Sequence, residues 1–144
     1  MNNFDVESAR EKVAIVAKKH NIKLVALFGS QATGAAHIKS DVDIAVMGQL
    51  PIDVDDKLKL MTDFSETFKR EDIEVVDLKT ASPTLMYVVV RDGKLLYETS
   101  SNDFLKWKLY AIRVWMETAW LRALRDMRLI QWAEKTQQKQ YANR

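Results

Sequence analysis

The chain has 144 residues, 47% of them hydrophobic and 29% charged, a composition that fits one packed domain and excludes a disordered polypeptide. Its 22 Lys+Arg against 20 Asp+Glu leave a net charge of only +2, too even to signal nucleic-acid binding from total charge, and the absence of Cys removes disulfides, thiolate metal sites and cysteine nucleophiles. No 18 apolar residues run without a charge and the opening MNNFDVESAR has no leader-like apolar run, so the expectation is a cytoplasmic protein with no membrane span.

Apolar positions at Val6, Ala9, Val13, Val16 and Ala17 predict a first helix over 6–19, with Asp5 as its cap. IKLVALF, residues 22–28, is short and apolar and predicts a buried strand ended by Gly29. Residues 30–40 hold Gly34 and small side chains, the composition of a turn with at most one helical turn. DVDIAVM (41–47) predicts a second strand, closed by Gly48 and Pro51. Residues 53–69 follow as an amphipathic helix with Leu58, Met61, Phe64 and Phe68 on its apolar stripe, and IEVVDL (73–78) is a third strand. LMYVVV (85–90) has strand propensity, but Ser82-Pro83 before it makes a helix start and Asp92-Gly93 a stop, giving a short helix and then a short strand at Leu95 to Tyr97. From Asn102 to about Glu134, with no internal Gly or Pro, one long helix is expected. This order is an α/β or α+β pattern, one sheet with covering helices.

The chemistry concentrates in FGSQATGAAHIKSDVDIAV, residues 28–46. A strand has a period of two, so Asp41 and Asp43 share one face while Val42, Ile44 and Val46 turn to the other. Two adjacent carboxylates repel, and no Lys or Arg lies between Asp41 and Lys57 to relieve them. A hard divalent cation, Mg²⁺ or Mn²⁺, meets that need. Asp77, inside the third apolar strand, completes a three-acid cluster if that strand lies beside the second, an arrangement suited to two metals in an in-line phosphoryl displacement. Gly29-Ser30 ends a strand and opens a turn whose N–H groups and hydroxyl suit a phosphate. A Gly-Ser turn alone is uninformative, and an Asp-x-Asp at a strand start is often merely solvated; it is the ordered combination that points to nucleotide chemistry.

These residues resemble the DNA polymerase β-type nucleotidyltransferase superfamily, whose signature is Gly-Ser, ten residues, Asp-x-Asp, and a third acid on a later strand. Here Gly29-Ser30 is followed by residues 31–40, then Asp41-Val42-Asp43, with Asp77 later. The phrases FGSQATG, SDVDIAV and RDGKLLYE are similar to those of the minimal nucleotidyltransferase (MNT) antitoxins that pair with HEPN ribonuclease toxins, a likeness covering about residues 10–100. The resemblance implies a small mixed β-sheet flanked by helices, two Mg²⁺ ions, ATP as cosubstrate, and an adenylyltransferase that places AMP on a toxin tyrosine. Gly29 and Ser30 would hold the triphosphate, Asp41 and Asp43 would bind both metals, and Asp77 would bind the metal that lowers the pKa of the accepting hydroxyl. The chain departs from the pattern at Gln31 and Thr33, where Arg is common, with Lys39 as a compensating charge; His37 in the same loop reads as solvated.

Residues 1–100 carry 13 basic and 16 acidic side chains, whereas 101–144 carry 9 basic and 4 acidic ones together with all four Trp. Residues 1–100 are thus expected to be the nucleotidyltransferase core and 101–144 a helical extension of the same domain. On that extension Leu105, Leu109, Ile112, Met116, Ala119, Ala123, Met127 and Ile130 form a stripe expected to dock on the sheet. A second stripe, Trp107, Tyr110, Val114, Leu121, Leu124 and Trp132, is left for core or for an interface, in which Arg113, Arg122, Arg125 and Arg128 would join. The expected assembly is a hetero-oligomer with the toxin or a homodimer through this helix, with nucleic acid met only through the toxin. The alternatives are an antitoxin that inhibits by contact alone, and a nucleotidyltransferase acting on a small molecule or an RNA end.

Overall fold

The computed structural model describes residues 6–35 and 40–142; Asp5, His37 and Lys39 lie outside the described residues. The elements run α1 (Val6–Lys19), β1 (Ile22–Phe28), α2 (Gly29–Thr33), β2 (Val42–Gly48), α3 (Val54–Phe68), β3 (Ile73–Asp77), α4 (Pro83–Asp92), β4 (Lys94–Glu98), α5 (Asp103–Glu117) and α6 (Ala119–Ala142). The four strands form one mixed sheet in the order β3-β2-β1-β4. β1 is antiparallel to β2 and to β4, while β2 and β3, joined through α3, are parallel. No described helix is long and apolar enough to cross a membrane.

The alternation of side chains along each strand divides the interior in two. Val42, Ile44 and Val46 of β2 meet Val13, Val16 and Ala17 of α1 and Leu60 and Phe64 of α3 on one face. Leu24, Ala26 and Ala45 on the other face pack with Met86 and Val89 of α4 and Phe104, Trp107 and Ala111 of α5. On α3 the buried stripe runs through Leu60, which stands four residues before Phe64, and the expected Leu58 is 56% exposed.

The C-terminal region differs from the expectation in two ways. The long helix is interrupted at Thr118, whose ψ of 7° leaves the helical region without Gly or Pro. Its hydroxyl donates to the Val114 carbonyl (2.6 Å), which also accepts the Thr118 N–H (3.0 Å), and Arg122 Nη2 donates to the Trp115 carbonyl (2.6 Å), so side chains supply donors to carbonyls at the end of α5. The Arg122 guanidinium also lies over the Trp115 ring, 3.3 Å from its centroid. The docking face is the other departure. Phe104, Trp107 and Ala111 face the sheet, whereas Leu105, Leu109, Ile112 and Met116 of the stripe expected to dock are exposed.

Two local devices lead to testable outcomes. At the start of α5, Asn102 makes no side-chain cap; the Glu98 carboxylate at the end of β4 instead accepts from the N–H groups of Asn102 (3.2 Å) and Phe104 (3.0 Å). Glu98→Ala is therefore expected to cost about 1–2 kcal/mol, read as a lower urea midpoint, as for loss of a helix cap. Between α1 and α3, Asp63 accepts from Lys19 Nζ at 2.7 Å and pairs with His20 Nε2 at 2.6 Å. Those hydrogen bonds, Lys19 first, hold the Asp63 carboxyl below the usual range. Its stabilising effect is complete above the ordinary aspartate value of about 4 and is lost as pH falls through the lower folded value. Asp63→Asn should flatten the acid limb of stability, measured by urea unfolding between about pH 6 and about pH 3.

Candidate active site

Gly29 ends β1 with φ at +68°, and α2 begins there as a single short turn closed by Gly34 in the left-handed region. β1 and β2 are antiparallel, and Phe28 pairs with Asp43, so the Gly29-Ser30 turn stands beside the start of β2. The approach is close: a Cβ on Gly29 would lie 2.1 Å from Asp43 Oδ2. Only glycine satisfies both the backbone angle and the space. The glycine turn and the Asp43 carboxylate form one cradle.

The segment leading into β2 is pinned from two sides. Gln31 Nε2 donates to the Ser40 carbonyl (3.2 Å), and Arg70 Nη2 donates to the same oxygen (2.8 Å). Arg70 is itself oriented by Asp72, which accepts from its Nε (2.7 Å) and its Nη2. These bonds push the guanidinium above its ordinary value, with Asp41 adding to the effect. Gln31, at the position where the resemblance suggests Arg, thus anchors the residue before Asp41. Arg70 supplies a cation near Asp41 from a part of the chain that local spacing did not search.

Asp43 lacks such relief. Burial, then Glu74, then Asp41 push its carboxyl above the usual carboxylate range, and nothing cationic among the described residues offsets them. Glu74 enters through the register: β2 and β3 are parallel with Asp43 paired to Glu74, so the two acids share a face of the sheet.

Asp77 does not join them. It pairs with Val46, on the opposite face and at the far end of β3. Its carboxylate is engaged there, accepting from the N–H groups of Ile52 (2.9 Å) and Lys79 (2.9 Å), so it ties the chain before α3 to the turn after β3. The expected cluster of Asp41, Asp43 and Asp77 is corrected on this point, because Val46, the register partner of Asp77, stands three steps from Asp43 on β2 and so faces the other way. The sequence held a usable signal: with Ile73 and Val75 as the inward pair, Glu74 is the acid in this strand that shares the face of Asp43.

Among the described residues no three acids or histidines meet as a closed metal cage. The arrangement is an open one, Asp41 and Asp43 with Glu74 alongside, bordered by the Gly29-Ser30 turn. Adjacent carboxylates, Asp43 with its proton affinity raised by burial and by Glu74 and Asp41, together with a glycine backbone that leaves room beside them, fit a hard cation carrying phosphate oxygens.

A strand-turn-strand that sets a Gly-Ser turn against an Asp-x-Asp, on a mixed sheet flanked by helices, defines a nucleotidyltransferase. The Polymerase beta, Nucleotidyltransferase family matches residues 11–102, and the chain belongs to it. Among its relatives is protein adenylyltransferase MntA of Shewanella oneidensis, 34% identical over 92 residues; the alignment takes in 64% of this chain and 63% of that protein, just under two thirds of its length. The crystal structure of a toxin-antitoxin with AMP-PNP superposes with a TM-score of 0.71 at 27% identity, covering 90% of this chain and 99% of that one. A tri-AMPylated Shewanella oneidensis HEPN toxin in complex with MNT antitoxin gives a TM-score of 0.67 at 26% identity, covering 86% and 98%. The family and fold inferred from FGSQATG and SDVDIAV are those found.

Proposed function

We propose that the chain is an adenylyltransferase antitoxin: it transfers AMP from ATP to a tyrosine of a HEPN-family toxin in the cytoplasm. The observation that carries this is the contact between the Gly29 turn and the Asp43 carboxylate, with Asp41 and Glu74 beside it. The likeness to MntA and to an AMPylated toxin complex supports the choice of acceptor.

In this reading Gly29 and Ser30 bind the triphosphate, the glycine by allowing close approach and the serine by donating its hydroxyl. Asp41 and Asp43, with Glu74 in the role first given to Asp77, would hold Mg²⁺. When bound, the cation polarises phosphate oxygens and lowers the pKa of an accepting hydroxyl. Gln31 and Arg70 hold the Ser40 carbonyl, which fixes where Asp41 enters the site. The tyrosine hydroxyl loses its proton to solvent, and its oxygen bonds to the α-phosphorus as the bond to pyrophosphate breaks.

The exposed apolar stripe of α5, with Trp120, Leu121, Met127, Leu129, Ile130 and Trp132 of α6, is the surface offered to the partner. Exposed apolar area of this extent, mixed with Arg122, Arg125 and Arg128, has the character of a binding face. Residues 1–100 would then be the catalytic part and 101–144 the part that grips the toxin. Incubation with radiolabelled ATP, Mg²⁺ and a purified HEPN toxin tests the proposal. Label on a toxin tyrosine, mapped by peptide mass spectrometry, is expected; toxin inhibited without label would leave an antitoxin that works by contact alone.

A further inference from the structure

We propose that the chain has a second small-molecule site, separate from the Gly29–Asp43 cradle, that binds a nucleoside phosphate. The site is a cavity of about 780 Å³ between the ends of β2 and β3 and one flank of α5. That volume lies within the range of ligand pockets, roughly 300–1,000 Å³. Its position sets it apart from the cradle. Met47, in its wall, shares a strand face with Asp43 but stands four residues further along β2, about 13 Å away at the rise of a strand. Lys23 lies at the opposite end of β1 from Gly29.

The lining specifies the ligand's two halves. Met47, Leu78, Met86 and Trp107 make an apolar floor, with Trp107 only 6% exposed. Thioethers adapt to a flat ring, and Tyr110 at the rim leaves enough of its ring free to stack. Gln49 supplies polar groups for a base edge, and the Thr99 hydroxyl, which donates to the Lys23 carbonyl at 3.3 Å, adds an acceptor. Lys23, Lys79 and Lys106 stand around the same opening, and among the described residues none of them has an ion pair. Lys23 and Lys79 are a local reversal of charge within residues 1–100, which carry an acidic excess, and Lys106 comes from the basic segment 101–144. The acid in the lining, Asp103, is partly committed, accepting from the Ser100 N–H at 3.1 Å. A flat, largely apolar body joined to a multiply charged anion satisfies floor and rim together; a purely apolar ligand would leave the lysines unused.

The test is an NMR titration of the full chain, labelled at backbone amides, methionine methyls and tryptophan indoles, with AMP in the absence of divalent cations. Adenosine and inorganic tripolyphosphate serve as separate arms. Saturable shifts at Met47, Met86 and Trp107 are expected with AMP and weaker ones with either half alone. Binding in a Lys79→Glu/Lys106→Glu variant should weaken about tenfold or more, and in Tyr110→Ala it should weaken while the adenosine shifts disappear. The proposal is overturned if millimolar AMP shifts only residues around Gly29 and Ser30, or if tripolyphosphate alone reproduces the AMP shifts. Unchanged affinity in the lysine variant also overturns it.

Discussion

Replacing Asp41 and Asp43 together by Asn is expected to cut the proposed adenylyl transfer by about 10³-fold or more, since the site would then lose the charges proposed to hold the cation. The fold should not suffer. A carboxyl whose pKa is raised in the folded state is one that the fold disfavours when charged, and burial together with Glu74 and Asp41 raises that of Asp43. At neutral pH its charge subtracts from stability, and a neutral amide of the same shape removes that deficit. The thermal midpoint of Asp43→Asn should therefore equal or exceed that of the unsubstituted chain while transfer collapses. Labelling of the toxin at an undiminished rate by the double variant would refute the metal-dependent mechanism.

A single methyl group at position 29 should have nearly as large an effect. Gly29→Ala meets two penalties: a left-handed φ of +68° and a Cβ placed 2.1 Å from Asp43 Oδ2. The backbone term is about 1–2 kcal/mol, and the clash adds to it or displaces the carboxylate. Transfer should fall by about 10²-fold or more, because a displacement of that size at a reacting centre costs that much. Gly34 is the control. Its φ is +75°, yet a Cβ there meets nothing within 4 Å, so Gly34→Ala should show only the backbone cost. Urea unfolding and initial rates on the two variants separate strain from steric exclusion. Equal loss of transfer in both would mean that the cradle is not where the nucleotide sits.

Much of this architecture was legible from residue patterns. The short β-branched run of β1 and the apolar spacing of α1 predicted their boundaries, and Ser82-Pro83 overruled the strand propensity of LMYVVV because a capped start with Pro in its first turn favours a helix. What failed to emerge depended on information that one strand or helix does not contain. The misassignment of Asp77 arose because strand parity assigns faces only once the inward pair is known, and Ile73 with Val75 reveals that pair through burial. The docking face of α5 was ambiguous for a related reason: it is apolar on both flanks, and only contact with α4 and the sheet selects Phe104, Trp107 and Ala111. The break at Thr118 carries no Gly or Pro; it is produced by side chains of Thr118 and Arg122 bonding to carbonyls, a competition that propensity does not register. The shared role of Gln31 and Arg70 was missed because both meet at the Ser40 carbonyl, Arg70 from 30 residues away, and a main-chain acceptor carries no side-chain signal.

The interruption at Thr118 leaves α6 with little to lean on. It is 24 residues long, about 36 Å at the rise of a helix, and residues 125–139 are all exposed. A segment so placed draws its order from neighbouring turns and from exposed surface pairs such as Arg125 with Asp126, which contribute little. Local opening there costs far less than unfolding the sheet, so proteases would cut the arm of a solitary chain long before reaching the rest. A partner that clasps that arm is expected to slow its cutting.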